Sequence, residues 1–302
     1  MSKTPRLIAV DWGTSRLRAY LLDADGAVLE KAGADEGIMA VPPGGFPATL
    51  RKHVGHWLSA WPGLPVVLAG MVGSRNGWVE VPYLTCPVDA AGIARALAPV
   101  DLGDGLRALI VPGLTAEDEA GVPDVMRGEE TKIVGTGVED GIVVTPGTHA
   151  KWSRVRGGRI EGFATFMTGD VYGALTDHTI LGKLAEQPED EAGFARGLAA
   201  CRRPGGLTHQ AFSARTLVLL GKMSGREVAP FLSGLLIGTE VRHALAMAGR
   251  DAPVTVVAEG TVGRGYEQAL AAHERGCRIL PPEETFLRGL LRLVDLKAPP
   301  QG

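Results

Sequence analysis

The amino-acid sequence predicts an α/β protein with two domains, and three observations predict it. Short apolar runs of strand character alternate along the chain with segments whose apolar residues recur at helical spacing. At 302 residues the chain is long enough for one large domain or two ordinary ones. The third observation is an echo between LIAVDWGTSRLRAYLLDADGAVLE in the first half and GIVVTPGTHAKWSRVRGGRIEGFA in the second. Each reads as an apolar strand, a turn carrying Gly-Thr, a strand, a glycine turn and a third strand. Gly13-Thr14 thus pairs with Gly147-Thr148, and Asp25-Gly26 with Gly157-Gly158. The shared order predicts a β-β-β start that opens each of two domains, 1–128 and 129–302.

The strands expected in order are Leu7–Val10, Arg18–Leu22, Pro65–Ala69, Ala108–Val111, Ile142–Thr145 and Val254–Ala258. Phe46, Leu50, Val54 and Trp57 lie at helical spacing, as do Tyr266, Leu270 and His273, with Gly276 as a C-terminal stop. A longer helix is expected over Gly225–Arg250, with Pro230 restricting where it starts. Glu186–Glu191 reads as a charged surface loop.

The bulk properties exclude several functions. A net charge of −3, with 45% hydrophobic and 22% charged residues, describes a globular protein with no basic surface for nucleic acid and no membrane partner. Leu58–Ser74 is free of charge, but Pro62, Gly63, Pro65, Gly70 and Gly73 interrupt it, so it is a poor membrane span. Cys86, Cys201 and Cys277 are far apart and form no Cys-x-x-Cys pair, which argues against a disulfide framework or zinc site and for a reducing compartment. The expected location is the cytoplasm and the expected partner a small molecule. No apolar seam reports on oligomeric state, and a homodimer stays open.

Three turns carry the chemistry. In Asp11-Trp12-Gly13-Thr14-Ser15, unobstructed N–H groups and short hydroxyls can cradle a phosphate. The adjacent carboxylate then needs a cation, and Mg²⁺ with its retained waters suits it. A plain polar hairpin turn is the alternative. Pro146-Gly147-Thr148-His149-Ala150-Lys151-Trp152 repeats the design with an imidazole and an ammonium in place of the acid. The third, Glu259-Gly260-Thr261-Val262-Gly263-Arg264-Gly265, is expected as a glycine loop opening a helix at Tyr266, a setting open to a nucleotide. Neither the dinucleotide fingerprint nor the P-loop spacing occurs.

In this order the three turns resemble the phosphate-1, phosphate-2 and adenosine motifs of the sugar kinase/Hsc70/actin superfamily. Together with AGMVGSRNGW, VMRGEET, FMTGD and FLSGLLIGTEV, they resemble the 2-dehydro-3-deoxygalactonokinase family over nearly the whole chain. The resemblance implies two RNase H-like domains around a cleft and ATP-dependent phosphorylation of a sugar acid, 2-dehydro-3-deoxy-D-galactonate, at its 6-hydroxyl. It implies ATP and Mg²⁺ as cofactors, with Asp11 toward the metal. Gly13, Thr14, Ser15, Arg18, Gly147, Thr148, His149, Lys151, Gly260 and Thr261 would then meet the nucleotide. Superfamily sugar kinases carry their catalytic base in a Gly-Asp-Gln-like turn ahead of phosphate 2, where this chain has Gly128-Glu129-Glu130-Thr131. Glu129 takes the role by position, and Asp170 in FMTGD is its rival. A sugar-acid carboxylate requires a cation, Arg127 first and Arg75 second, while Ser74 and Asn76 are placed for hydroxyls and Trp12 to reach the cleft. A kinase of another sugar acid or of a neutral sugar is the nearest alternative, and a non-metabolic actin-like ATPase the more distant one.

Overall fold

The computed structural model describes residues 4–248 and 252–297. Backbone packing divides the chain into two units. Unit 1 runs to Glu139 and takes in Val155–Phe163 and the segment from Pro282, while unit 2 holds Asp140–Arg154 and Ala164–Pro281. Unit 1 therefore includes chain segments that lie C-terminal of the boundary expected at 128/129.

In unit 1 the strands are β1 (Pro5–Trp12), β2 (Leu17–Asp23), β3 (Val28–Ala34), β4 (Val66–Ala69), β5 (Leu84–Thr85), β6 (Val88–Asp89), β7 (Ala98–Gly103), β8 (Leu106–Ile110), β9 (Leu114–Glu117) and β10 (Pro123–Met126). Its helices up to Glu139 are α1 (Phe46–Ala60), α2 (Ala90–Arg95) and α3 (Glu129–Thr136). Then follow β11 (Gly141–Thr145), β12 (Ala150–Arg156), β13 (Arg159–Phe166), α4 (Thr168–His178), α5 (Ala192–Ala200), α6 (Gly206–Leu219), α7 (Val228–Ala248), β14 (Val254–Val257), α8 (Gly260–Ala271) and β15 (Cys277–Leu280). The final helix, α9 (Pro282–Lys297), returns to unit 1.

The main sheet of unit 1 has the order β3-β2-β1-β4-β8-β7, and the other large sheet has β15-β14-β11-β12-β13-β6. Apart from the short β6 at its edge and one strand fewer, the second order repeats the first when its strands are renamed from β11. The expected echo is therefore an echo of topology. β1 pairs antiparallel with β2 and parallel with β4, and β11 pairs parallel with β14. All six expected strands form. Central strands buried on both faces read as near-continuous apolar runs, which is why β1, β4, β11 and β14 were legible.

The unit 1 core gathers Ile8, Val10, Leu68 and Ile110 from the sheet against Leu50, Val54 and Trp57 of α1. In unit 2, Val144, Val256 and Trp152 pack on Val241 and Ile237 of α7 and Leu270 of α8. The long helix begins at Val228 with Pro230 in its first turn, where a missing N–H costs no helical bond. Its expected end, Arg250, lies outside the described residues. No helix among the described residues is long and apolar enough to cross a membrane.

One expectation is corrected. The glycine loop through Gly265 is not a loop, because α8 already begins at Gly260. A Cβ on Gly265 would stand 3.1 Å from the Phe194 ring and 3.4 Å from Ile237. That glycine serves helix packing, and in one sequence a packing glycine and a loop glycine look alike.

Candidate active site

Unit 1 brings the end of β1, the loop after β4 and the start of α3 together. Asp11 and Arg18 face each other across the β1–β2 pair, with the guanidinium 3.6 Å from the carboxylate. The turn between them is tight, Gly13 N–H donating to Arg16 O. It is braced from behind by Ile38 N–H on Gly13 O and Met39 N–H on Thr14 O. Held in this way, the turn leaves Thr14 and Ser15 exposed. At the end of β4, Gly70 takes φ 94°, and a Cβ there would lie 2.9 Å from Trp12 O and 3.5 Å from Asp11 Oδ1. Gly128, at φ 108°, comes against Gly70 in turn, its own Cβ position 3.3 Å from the Gly70 Cα. These close approaches set Glu129, the first residue of α3, beside the Asp11 end of β1.

The two glutamates of this turn stand in different environments. Glu129 is half-buried, and its Oε2 accepts the Arg127 N–H at 3.1 Å. Glu130 is fully buried, accepting the Gly128 N–H at 2.6 Å and the Thr131 hydroxyl at 3.0 Å. Burial, and then the Glu129 charge, push the Glu130 carboxyl up from 4.5 to about 7. Such a group keeps its proton longer in the folded chain than in the unfolded one. Folding stability therefore falls as pH rises from 4.5 to about 7 and is level above that. Glu130→Gln should abolish this dependence and gain stability on wild type toward the upper end of the window. Denaturant titrations at both ends check this, and an unchanged pH slope in the variant would exclude the assignment.

The loop after β4 lines a cavity of about 290 Å³ in unit 1, formed with Ile38, Phe46, Arg75, Asn76, Gly77 and Trp78 among others. Arg75 is exposed and reaches Glu80 at 3.4 Å. Ser74 is turned inward, its hydroxyl donating to Met71 O. Trp12 offers no face to a ligand. It is fully buried, edge-on to Phe46 at 5.4 Å with its indole N–H on Glu36 O, because the inward side of β1 is core. It supports the cavity through Phe46, which stacks on Trp78 at 6.1 Å. Arg127 is also buried, donating to Val81 O at 2.8 Å and lying over the Tyr83 ring at 4.3 Å. Its Nε and Nη1 have no hydrogen-bond partner.

Unit 2 holds a larger cavity of about 630 Å³, within the ~300–1,000 Å³ usual for ligand sites. One wall is Pro146-Gly147 of the second turn with Thr168-Gly169 at the start of α4. Thr261, Val262 and Gly265 of α8 line it as well, with Phe194 and Ser233 elsewhere in the lining. The start of α4 braces the turn: Asp170 N–H donates to Thr148 O, and a Cβ on Gly169 would fall 2.6 Å from Gly147 O. Asp170 is occupied, its Oδ2 lying 2.6 Å from His149 Nε2. Gly147, Thr148 and His149 are exposed, whereas Lys151 is buried with its ammonium donating to Thr165. Gly260 and Thr261 stand exposed at the N-terminus of α8, where N–H groups and the helix dipole favour anionic ligands. Arg264 reaches both Thr261 at 3.3 Å and Glu191 at 3.6 Å.

No group of three or more His, Cys, Asp or Glu side chains able to cage a metal occurs among the described residues. Mg²⁺ does not call for such a cage, since it is held by one or two carboxylates, waters and substrate phosphates. Asp11 is a partly exposed carboxylate at the end of β1. Sequence reading passed over Glu240, although a signal was there: it is the one charged residue between Glu227 and Arg242 in an apolar stretch of α7.

Comparison with known proteins identifies the family. The family model described as 2-keto-3-deoxy-galactonokinase matches residues 11–293. A Rhizobium meliloti protein provisionally named 2-dehydro-3-deoxygalactonokinase DgoK1 is 39% identical over 292 residues, 93% of this chain and 94% of its own length. The Escherichia coli 2-dehydro-3-deoxygalactonokinase is 34% identical over 279 residues, 91% and 92% of the two chains. A crystal structure from Sinorhizobium meliloti, provisionally described as the same kinase, superposes with a TM-score of 0.89 at 35% identity over 97% of this chain and 99% of that one. The activator of 2-hydroxyisocaproyl-CoA dehydratase from Clostridium difficile shares the fold alone, with a TM-score of 0.52 at 14% identity over 97% and 96% of the chains. Matched from the first turn to the last helix, the chain belongs to the 2-keto-3-deoxy-galactonokinase family.

Proposed function

We propose that the protein transfers the γ-phosphoryl group of ATP to the 6-hydroxyl of 2-dehydro-3-deoxy-D-galactonate. The observation that carries this reading is the 630 Å³ cavity, walled by both the Gly147 turn and the start of α8. These are two motifs whose residue pattern already suits a nucleotide, and the fold brings them to one cavity. Its backbone N–H groups, with Thr148 and Thr261, suit the phosphates. Thr14 and Ser15 are the hydroxyls for the transferred group. Bound near Asp11, Mg²⁺ would neutralise phosphate charge as transfer proceeds.

Glu129 orients and deprotonates the acceptor hydroxyl. Its half-buried carboxylate is anchored by one N–H bond at the turn, whereas Glu130 beside it is sealed in and Asp170 is bonded to His149. The acceptor cavity is the one lined by Arg75 and Asn76. Arg75 is the cation exposed there for the sugar-acid carboxylate, and Arg127 holds the neighbouring Val81–Tyr83 segment in place. Arg75→Ala should raise KM for the sugar acid about 10–100-fold, as for loss of one hydrogen bond to a charged group, with KM for ATP unchanged. A rise in Arg127→Ala alone would move the carboxylate to Arg127.

The substrate is tested by coupled ADP release over a panel of sugar acids and neutral sugars. Turnover concentrated on the galacto acid supports the proposal. Equal turnover on neutral sugars, or ATP hydrolysis indifferent to any acceptor, would overturn it.

A further inference from the structure

Glu240 lies on α7 in unit 2, 2% exposed. A carboxylate in that position is costly unless its oxygens are fully used. Three donors from three elements converge on it. The Trp152 indole N–H on β12 and the Tyr266 hydroxyl on α8 both donate to Oε1 at 2.7 Å, and the Thr168 hydroxyl at the start of α4 donates to Oε2. Burial pushes the carboxyl above its ordinary value, while the three donors pull it back. Thr168 and Tyr266 line the 630 Å³ cavity. Thr168 also leads directly into Gly169 and Asp170, which brace the Gly147-Thr148 turn.

We propose that Glu240 is a positioning residue for the nucleotide: it ties β12, α4 and α8 to one another beneath the cavity and fixes the Thr168 hydroxyl. With its hydroxyl bonded to Glu240, Thr168 is fixed at the cavity wall, and the α4 start is held where it supports the phosphate turn. A single carboxylate thus links the second glycine turn to the helix that carries the third. The proposal rests on reading this cavity as the ATP site.

The test is calorimetric titration with ATP, alongside steady-state kinetics, for wild type, Glu240→Gln, Thr168→Val and the double variant. A glutamine oxygen can keep the Trp152 and Tyr266 bonds, but its amide group must then point at Thr168 and reverse that bond. Each single variant should weaken ATP binding about 10-fold or more, the scale for one hydrogen bond to a charged acceptor, and raise KM for ATP by the same factor. KM for the sugar acid, and kcat at saturating ATP, should stay within about twofold, which separates positioning from general loosening. The double variant should be no worse than the weaker-binding single, since both act through one bond. Wild-type ATP affinity in Glu240→Gln would overturn the proposal, as would an equal rise in both KM values or additive losses in the double variant. Thr168→Val leaves the other two bonds to Glu240 intact and carries the same expectation by itself if Glu240→Gln does not fold. The underlying reading fails separately: Ser233→Trp should fill the cavity and abolish ATP binding, and unchanged binding there would remove the ATP site from this cavity.

Discussion

Glu129→Gln is expected to lower kcat about 10²–10⁴-fold, the scale for loss of a general base, with little change in ATP affinity. Glutamine preserves shape and can still accept the Arg127 N–H, so the turn at Gly128 should hold. What it cannot do is take the acceptor proton. Steady-state kinetics with the sugar acid, paired with direct ATP titration, reads the two effects apart. Asp170→Asn provides the contrast. Asp170 is bonded to His149 and its N–H to Thr148 O, so its loss should act on the phosphate turn and raise KM for ATP. Near-normal kcat in Glu129→Gln beside a collapse in Asp170→Asn would exchange the two roles.

Gly135→Ala is expected to destabilise the protein by about 3 kcal/mol, at the upper end of ordinary overpacking, and to lower Tm by roughly 6–12 °C. α3 and α9 cross so closely in unit 1 that a Cβ at Gly135 would stand 1.7 Å from Thr285 O. The approach is mutual, since a Cβ at Gly289 would stand 1.9 Å from Thr131 O. Both obstacles are backbone carbonyls, which cannot rotate aside as a side chain would. α3 begins at Glu129, so a shift in the crossing also displaces the proposed base, and kcat should fall with Tm. Thermal unfolding checks the first effect, and a Tm within about 1 °C of wild type would show that the crossing is softer than its geometry implies.

Much of the candidate site was legible because it depends on local chemistry. A Gly-Thr turn between two apolar runs reads the same in sequence and in space, and both such turns appear with exposed hydroxyls. Glu129 was placed by its position in a family motif. Its neighbour Glu130, of the same residue type and next in the chain, is sealed in and bonded to the backbone. Nothing local separates the two, because burial there comes from elements distant in the chain. Gly265 misled for the same reason: the need for a missing side chain arises from Phe194 on another helix.

The amino-acid order alone determined the α/β class, the repeated β-β-β start, the six principal strands and the two glycine turns that end β1 and β11. These follow from apolar periodicity and turn chemistry, which act over a few residues. Only the tertiary structure decided which residues stay accessible and which are buried: Arg75 exposed against Arg127 buried, Glu129 half-buried against Glu130 sealed in, and Trp12 inside the core. It also decided that α9, from the far end of the chain, closes on α3, and that one carboxylate on α7 ties β12, α4 and α8 together. Burial and hydrogen-bond partnership are set by chain segments remote in sequence, and no local pattern encodes them.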